Sequence, residues 1–259
     1  MAIKMVFGIQ KGGCSKTTTS GIFAHQLLAR GHSVLAVDMD SQGNLTELLT
    51  QRPANEFSDQ SILEAFRDEN AKPYIYHVTE QLHVLPANNL LATLPRLLYT
   101  MYGLTSNRVY TSLRELLEHI ASDYDYIIID TPPTLSEHTV SALVAADWVL
   151  VMFESSQWCY SAVPNFMDSV EVARKLNPTL QIAGIVRTLN DVRRTDNKEF
   201  NDLIAEDYPD LVFDTVIRRR AAAGRLAIYG LGDANPEMES ALEQYAPLFE
   251  EVLNRVRQG

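Results

Sequence analysis

The run "IKMVFGIQKGGCSKTTTSG", residues 3–21, constrains this chain more than any other stretch. A short apolar segment leads through Gly12 and Gly13 into Lys16-Thr17 and a helical pattern. A strand, a glycine loop and a helix start, in that order, aim backbone N–H groups and the positive end of a helix at one point. That arrangement is a cradle for phosphate. Lys16 is placed there to hold the β- and γ-phosphates of a nucleotide, and the Thr17 hydroxyl to ligate Mg²⁺. The spelling departs from G-x-x-x-x-G-K-[ST], because Gln10 stands at the first glycine position and Ser15 at the second. A second lysine, Lys11, lies five residues before Lys16. One lysine is enough to grip a phosphate, so Lys11 needs a separate account.

Such a loop works with a carboxylate on a neighbouring strand end, and "YDYIIID" (124–130) ends in Asp130. Asp130 is expected to meet Mg²⁺ through water. Asp38 and Asp40 close "SVLAVDMD", read as lying on opposite sides of the pleat. Further apolar runs at 82–87, 147–153, 180–188 and 210–217 read as strands. Helical patterns fall at 17–30, 58–69, 107–121, 157–176, 196–206 and 237–257, with an additional helix in 88–106 interrupted by Pro95. This alternation predicts an α/β fold with a mostly parallel central sheet and helices on both faces. No linker or repeat divides it, so residues 1–259 are read as one domain.

A chain of this length buries roughly 70–75% of its unfolded surface and needs no disulfides. Its two cysteines, Cys14 and Cys159, fit a reducing cytosol. The amino end reads as a strand rather than a signal peptide. The longest apolar run, "VSALVAADWVLVMF", is broken by Asp147 and falls short of the ~18 residues of a membrane span. A net charge of −11 excludes a protein coated in positive charge but leaves room for a local basic patch.

"KGGCSKTTT" resembles the deviant phosphate loop K-G-G-x-G-K-[ST] of the ParA/MinD group of ATPases. "VLAVDMDSQGNLT" is similar to that group's second motif, and "YIIIDTPPTLSEHTVSALVAADWVLV" to its third. "VRTLNDVRRT" and "VIRRRAAAGRLAIYGLG" stand in order where ParA-type partition proteins carry nucleotide-base and DNA-binding loops. The resemblance implies a P-loop fold with ATP and Mg²⁺ as cofactors. Lys11, Gly12, Gly13, Cys14, Ser15, Lys16, Thr17 and Thr18 would surround the phosphates. Thr17, Asp38 and Asp130 would serve the metal, Asn190 and Asp191 the adenine, and Asp40 the attacking water. "SQGNLT" (41–46) would be a switch loop sensing the γ-phosphate. Lys11 would reach across an ATP-sandwich homodimer to the partner's phosphates, as an arginine finger does in trans. Cys14 occupies the variable position as a small filler, and Ser15 stands where the family has glycine.

Arg187, Arg193, Arg194 and Lys198 gather in one late segment, and Arg218, Arg219, Arg220 and Arg225 in the next. One reading is a solvated face balanced by Asp191, Asp196, Glu199 and Asp214. The other, favoured by the resemblance, is sequence-independent contact with DNA phosphates. The C-terminal helical segment has a mostly acidic polar face, unlike membrane-surface helices, and is expected to pack on the sheet. The resulting expectation is a nucleoid-associated, cytoplasmic ATPase that segregates or positions DNA or another cargo. A ParB-like or other cargo-adaptor protein would stimulate it, with no membrane partner and no N-terminal helix-turn-helix extension. A MinD-like membrane-surface ATPase is the alternative. A redox enzyme resembling the nitrogenase iron protein and a small-molecule ligase rank lower, for want of cysteines and because of the arginines.

Overall fold

The structure, a computed structural model, describes residues 2–191, 195–220, 230 and 236–258. Among the described residues eight strands form one sheet: β1 (Ile3–Gly8), β2 (Val34–Asp38), β3 (Tyr76–His77), β4 (Leu82–Leu85), β5 (Tyr126–Asp130), β6 (Trp148–Glu154), β7 (Gln181–Asn190) and β8 (Val212–Arg218). Their order is β3-β4-β2-β5-β1-β6-β7-β8. Every pairing is parallel except the short β3 against β4. Each residue of β2 and β5 is buried, as the continuous apolar runs require of strands covered on both faces.

The helices among the described residues are α1 (Lys16–Ala29), α2 (Asn44–Thr50), α3 (Ile62–Arg67), α4 (Leu94–Tyr102), α5 (Arg108–Glu118), α6 (Glu137–Ala145), α7 (Gln157–Arg174), α8 (Thr195–Asp207), α9 (Pro236–Glu243) and α10 (Tyr245–Gln258). One layer joins α1 to α2 and α10; the other joins α5, α6 and α7. Helix α7 lies hard against β1 at Gly8, where any Cβ would come within 2.3 Å of the Phe166 ring.

Several expectations change. Pro95 does not interrupt α4; it sits in the first turn, where its missing N–H removes no helical bond. Residues expected as the switch loop instead begin α2 at Asn44. The turn into that helix depends on Gly43, with φ +66° and a built Cβ only 2.5 Å from Ala54. The continuous helix expected over 237–257 divides into α9 and α10. The two-residue β3 is too short to give a periodic signal in sequence.

All the parallel strands end on one edge. Gly8, Asp38, Asp130, Glu154, Asn190 and Arg218 are the last residues of their strands. In open α/β sheets this carboxyl edge is where ligands bind.

Candidate functional site at the carboxyl edge of the sheet

Between β1 and α1 the chain turns through two left-handed residues, Gly13 at φ +79° and Ser15 at φ +59°. The second is not glycine and carries a local cost of roughly 1–2 kcal/mol. Ser15 is the N-cap of α1, but its side chain makes no capping bond, and no acidic residue occupies the first turn. The amino end of α1 therefore keeps its N–H groups and positive dipole end available for an anion. A pocket of about 330 Å³ opens there, lined by Gly12 to Thr18 with Asp40, Gln42, Asn44 and Pro133.

The two lysines are placed differently. Lys16 is 6% exposed, and its Nζ donates to the Lys11 carbonyl oxygen at 2.9 Å, bridging its own loop. Burial lowers its pKa, and the charge of Asp130 opposes that shift. Lys11 is half-buried, with its Nζ in a solvent-exposed 3.1 Å bond to the Gly12 carbonyl oxygen.

Asp38 and Asp130 are partners in the β2–β5 register, so two fully buried carboxylates stand side by side. Thr17 Oγ1 donates to Asp130 Oδ2 at 2.6 Å and Ser20 Oγ to Oδ1 at 3.1 Å. Asp38 Oδ2 accepts from Thr46 N at 2.9 Å and Thr46 Oγ1 at 2.8 Å. Burial, and then the charge of Asp38, push Asp130 up to about 7. Burial pushes Asp38 up to about 6 against the Thr46 hydrogen bonds. Ser20 and Thr46 went unrecognised in the sequence. Ser20 follows Thr17 by three residues, so helical spacing alone puts both hydroxyls on one face.

Asp40 lies past the end of β2 and is 8% exposed; its Oδ1 accepts from Gln42 N at 3.0 Å. Residues two apart on one strand share a face, so the pleat does not separate Asp38 from Asp40. The turn beyond Asp38 does, leaving Asp40 on the phosphate pocket and Asp38 behind it.

These donors fit Mg²⁺. They are hydroxyl and carboxylate oxygens, and among the described residues no group of three or more His, Cys, Asp or Glu could hold a metal ion. Mg²⁺ keeps several waters and is bound through one or two carboxylates plus substrate phosphates, so it needs no such cage. The uncapped helix end and the buried lysine fit the phosphates themselves.

Asn190 and Asp191 stand apart from that pocket. Asn190 ends β7 after Leu189, a left-handed residue at φ +54°, and its Oδ1 accepts from Asn201 Nδ2 at 3.1 Å. Asn190 pairs with Arg218 across β7 and β8, so the two late segments do meet at one edge. There Arg218, Arg219 and Arg220 are exposed, and Arg219 is 3.0 Å from Glu154. Lys198 is exposed on α8. Arg187 differs. It is half-buried, and its Nη2 donates to the carbonyl oxygens of Phe213 (2.8 Å) and Asp214 (3.1 Å), knitting β7 to β8. Arg193, Arg194 and Arg225 lie outside the described residues.

Helix α10 buries Leu248, Phe249, Val252 and Leu253. Arg255 does not cap its own helix; it donates to the carbonyl oxygens of Ala183 and Leu211 and lies 4.4 Å above the Phe213 ring. The apolar face of α10 is thus already covered. No helix among the described residues is long and apolar enough to cross a membrane.

The AAA-domain family matches residues 3–182. The chain is 31% identical to the chromosome-partitioning ATPase Soj of Thermus thermophilus over 252 residues, covering 96% of this chain and 95% of that one. Among solved structures, cobyrinic acid a,c-diamide synthase from Mycobacterium smegmatis with ADP and magnesium matches at 30% identity. Its TM-score is 0.77, over 88% of this chain and 91% of that one. Apo McdA from Cyanothece matches at TM-score 0.84 and 23% identity, over 99% and 100% of the two chains, a likeness of fold.

Proposed function

The chain belongs to the family of the ParA and Soj chromosome-partitioning ATPases, and from that membership we propose that it is an ATP-driven partition or positioning ATPase. In this reading an ATP-bound homodimer holds DNA without sequence preference, and a ParB-like or other cargo adaptor stimulates hydrolysis and release. The cargo is a replicon or a protein assembly.

The placement of Lys11 carries the reading. Lys16 already supplies the buried cation under the pocket, whereas the Lys11 amine sits at the solvent-facing lip, bonded to its own loop. A cation there adds nothing inside one subunit and can add a charge to a phosphate held by a second. Within the subunit, Lys16 and the α1 N–H groups would bind the phosphates, with Thr17 and Asp130 holding Mg²⁺ and Asp38 supporting its water shell. Bound Mg²⁺ would neutralise phosphate charge. Asp40, on the pocket wall, would orient the attacking water. Arg218 and Arg220, exposed at the far end of the same edge, would meet DNA phosphates; Arg187 is assigned to the β7–β8 seam instead.

Cosedimentation with DNA and with anionic liposomes, each with ATP and with ADP, tests the proposal. ATP-dependent DNA binding without liposome binding is expected. Liposome binding alone would move the chain to the membrane-surface class. Hydrolysis that responds to a small carboxylic acid and amide donor, and not to DNA or a partner, would move it toward the diamide-synthase class.

A further inference from the structure

The phosphate loop contains a thiol pair. Cys14 Sγ lies 3.5 Å from Cys159 Sγ across 145 residues of sequence, both side chains buried and both thiols free. Cys159 sits in the first turn of α7, where its N–H donates to Ser156 Oγ and its sulfur accepts the Glu154 N–H at 3.3 Å. Cys14 stands between the two left-handed residues of the loop and lines the phosphate pocket. We propose that Cys14 and Cys159 form an oxidation site, closed to a reversible intramolecular disulfide by hydrogen peroxide, that shuts the phosphate loop to ATP.

The two sulfurs have unequal parts. The hydrogen bond from Cys159 and, against the effect of burial, the positive charge of Lys16 lower the Cys14 pKa, while the same bond and burial raise Cys159. Of the pair, Cys14 lines the pocket, so it is the attacking sulfur and Cys159 the resolving thiol. The Cys14 sulfur attacks one peroxide oxygen and the O–O bond breaks. Cys14 becomes a sulfenic acid, and the departing hydroxide takes the Cys14 thiol proton and leaves as water. The Cys159 sulfur then attacks the Cys14 sulfur; the S–S bond forms as S–O breaks, and the hydroxyl leaves as a second water with the Cys159 proton. The two thiols lose two electrons, and the peroxide gains them.

Bonding requires the sulfurs to close by about 1.5 Å, to the usual disulfide length. Helix α7 is packed on β1, with Phe166 against Gly8, so the adjustment falls to the two cysteine side chains and the loop that carries Cys14. Any shift of that loop carries with it the Cys14 carbonyl that accepts from Thr188 Oγ1 at 3.2 Å. Gly13, Cys14 and Ser15 all line the pocket. Displacements of about 1 Å at such sites cost on the order of 100-fold in rate. Peroxide reaches Cys14 from the pocket, so a nucleotide seated there would shield it. The shutting of the pocket to ATP, but not the disulfide itself, rests on the nucleotide reading above.

The test treats the full chain with hydrogen peroxide, without nucleotide and with ATP-Mg²⁺, then denatures and alkylates it for intact-mass and peptide analysis. Loss of both alkylation sites and recovery of a Cys14–Cys159 cross-linked peptide, slowed by ATP and reversed by dithiothreitol, are expected. Oxidation of Cys14 to sulfinic acid with Cys159 still alkylatable would overturn the proposal. ATP affinity should fall at least tenfold on oxidation. Cys159→Ser keeps an acceptor for the Glu154 N–H, and it should bind ATP normally when reduced and form no disulfide. A disulfide with unchanged ATP affinity would overturn the regulatory half. Failure of even the reduced protein to bind ATP would sink the nucleotide reading, while the cross-link, read by mass, would stand alone.

Discussion

The carboxyl edge handles charge in two opposite ways. At β2, β5 and β1 the charges are buried and answered: Asp130 by Thr17 and Ser20, Asp38 by Thr46, Lys16 by the Lys11 carbonyl. At β7 and β8 the arginines are mostly exposed, and Glu154 holds one of them. A buried, answered charge has one geometry, which suits a ligand whose atoms must be placed to a fraction of an ångström. An exposed flexible charge accepts many geometries, which suits a uniform polyanion read without sequence. Lys11 is the exception in the first half: it sits beside the buried charges yet faces solvent like the arginines.

That exception gives the largest expected effect. Lys11→Ala should retain ATP binding yet lose ATP-induced dimerisation, and hydrolysis should fall by about 10³–10⁵, the range of a catalytic cation supplied in trans. Size measurement with a non-hydrolysable analogue checks it; a normal dimer with normal turnover would return Lys11 to its own loop. Next comes Asp40→Ala, which should leave ATP binding intact and lower turnover by about 10²–10⁴, trapping the protein on DNA. If the variant cannot bind ATP-Mg²⁺, Asp40 belongs with the metal rather than the water.

In the other half the effects are smaller and graded. Arg218→Ala and Arg220→Ala should each weaken binding to every DNA sequence alike and flatten the log–log salt dependence by ~0.9 per lost phosphate contact. Arg219→Ala should flatten it less, because Glu154 already neutralises that guanidinium. Equal slopes for all three would erase the distinction. Arg187→Ala should act on the melting temperature through the β7–β8 seam and leave the salt slope alone.

Much of the first half was legible in sequence, because a strand, a glycine loop and a lysine-threonine helix start are contiguous and their geometry is local. Asp130 was legible because it ends an apolar run. Ser20 and Thr46 were harder to see: helical spacing puts Ser20 on the face of Thr17, but each gains its role from a carboxylate more than a hundred residues away or across a turn. The Cys14–Cys159 contact likewise appears only once α7 is laid beside β1. In the second half, sequence grouped Arg187 with the other arginines. Only the strand pairing shows it turned inward to the β8 carbonyls.

The buried carboxylates make stability depend on pH in a set direction. Asp130 and Asp38 titrate near 7 and 6 when folded, against 3.8 for an unperturbed aspartate. Between about pH 4 and 7 the folded state therefore holds more protons than the unfolded one, and stability from this pair falls as pH rises through that window. Melting of the Mg²⁺-free protein should decline from pH 5 to 8, and Asp130→Asn should flatten the decline. ATP-Mg²⁺ should raise the melting point more at pH 8 than at pH 6, because the cation replaces protons that have already left.

The smallest effect separates strain from contact at Ser15. Its φ of +59° is costly for any residue with a Cβ, yet its side chain makes no capping bond. Ser15→Ala keeps the Cβ and the strain, so its melting point should match the parent. Ser15→Gly removes a cost of roughly 1–2 kcal/mol, and the greater freedom of glycine in the unfolded chain offsets roughly 0.5–1 kcal/mol of that. The net gain should be under about 1.5 kcal/mol, a rise of a few degrees at most for a chain of this size. Leu189, the left-handed residue of the other half, is the matching control: it is half-buried, so Leu189→Gly relieves similar strain but gives up packing, and its gain should be smaller or reversed. If Ser15→Ala lowers stability by the ~1 kcal/mol typical of a lost cap, the serine hydroxyl holds the helix end after all, and the amino end of α1 is less free for an anion than its geometry implies.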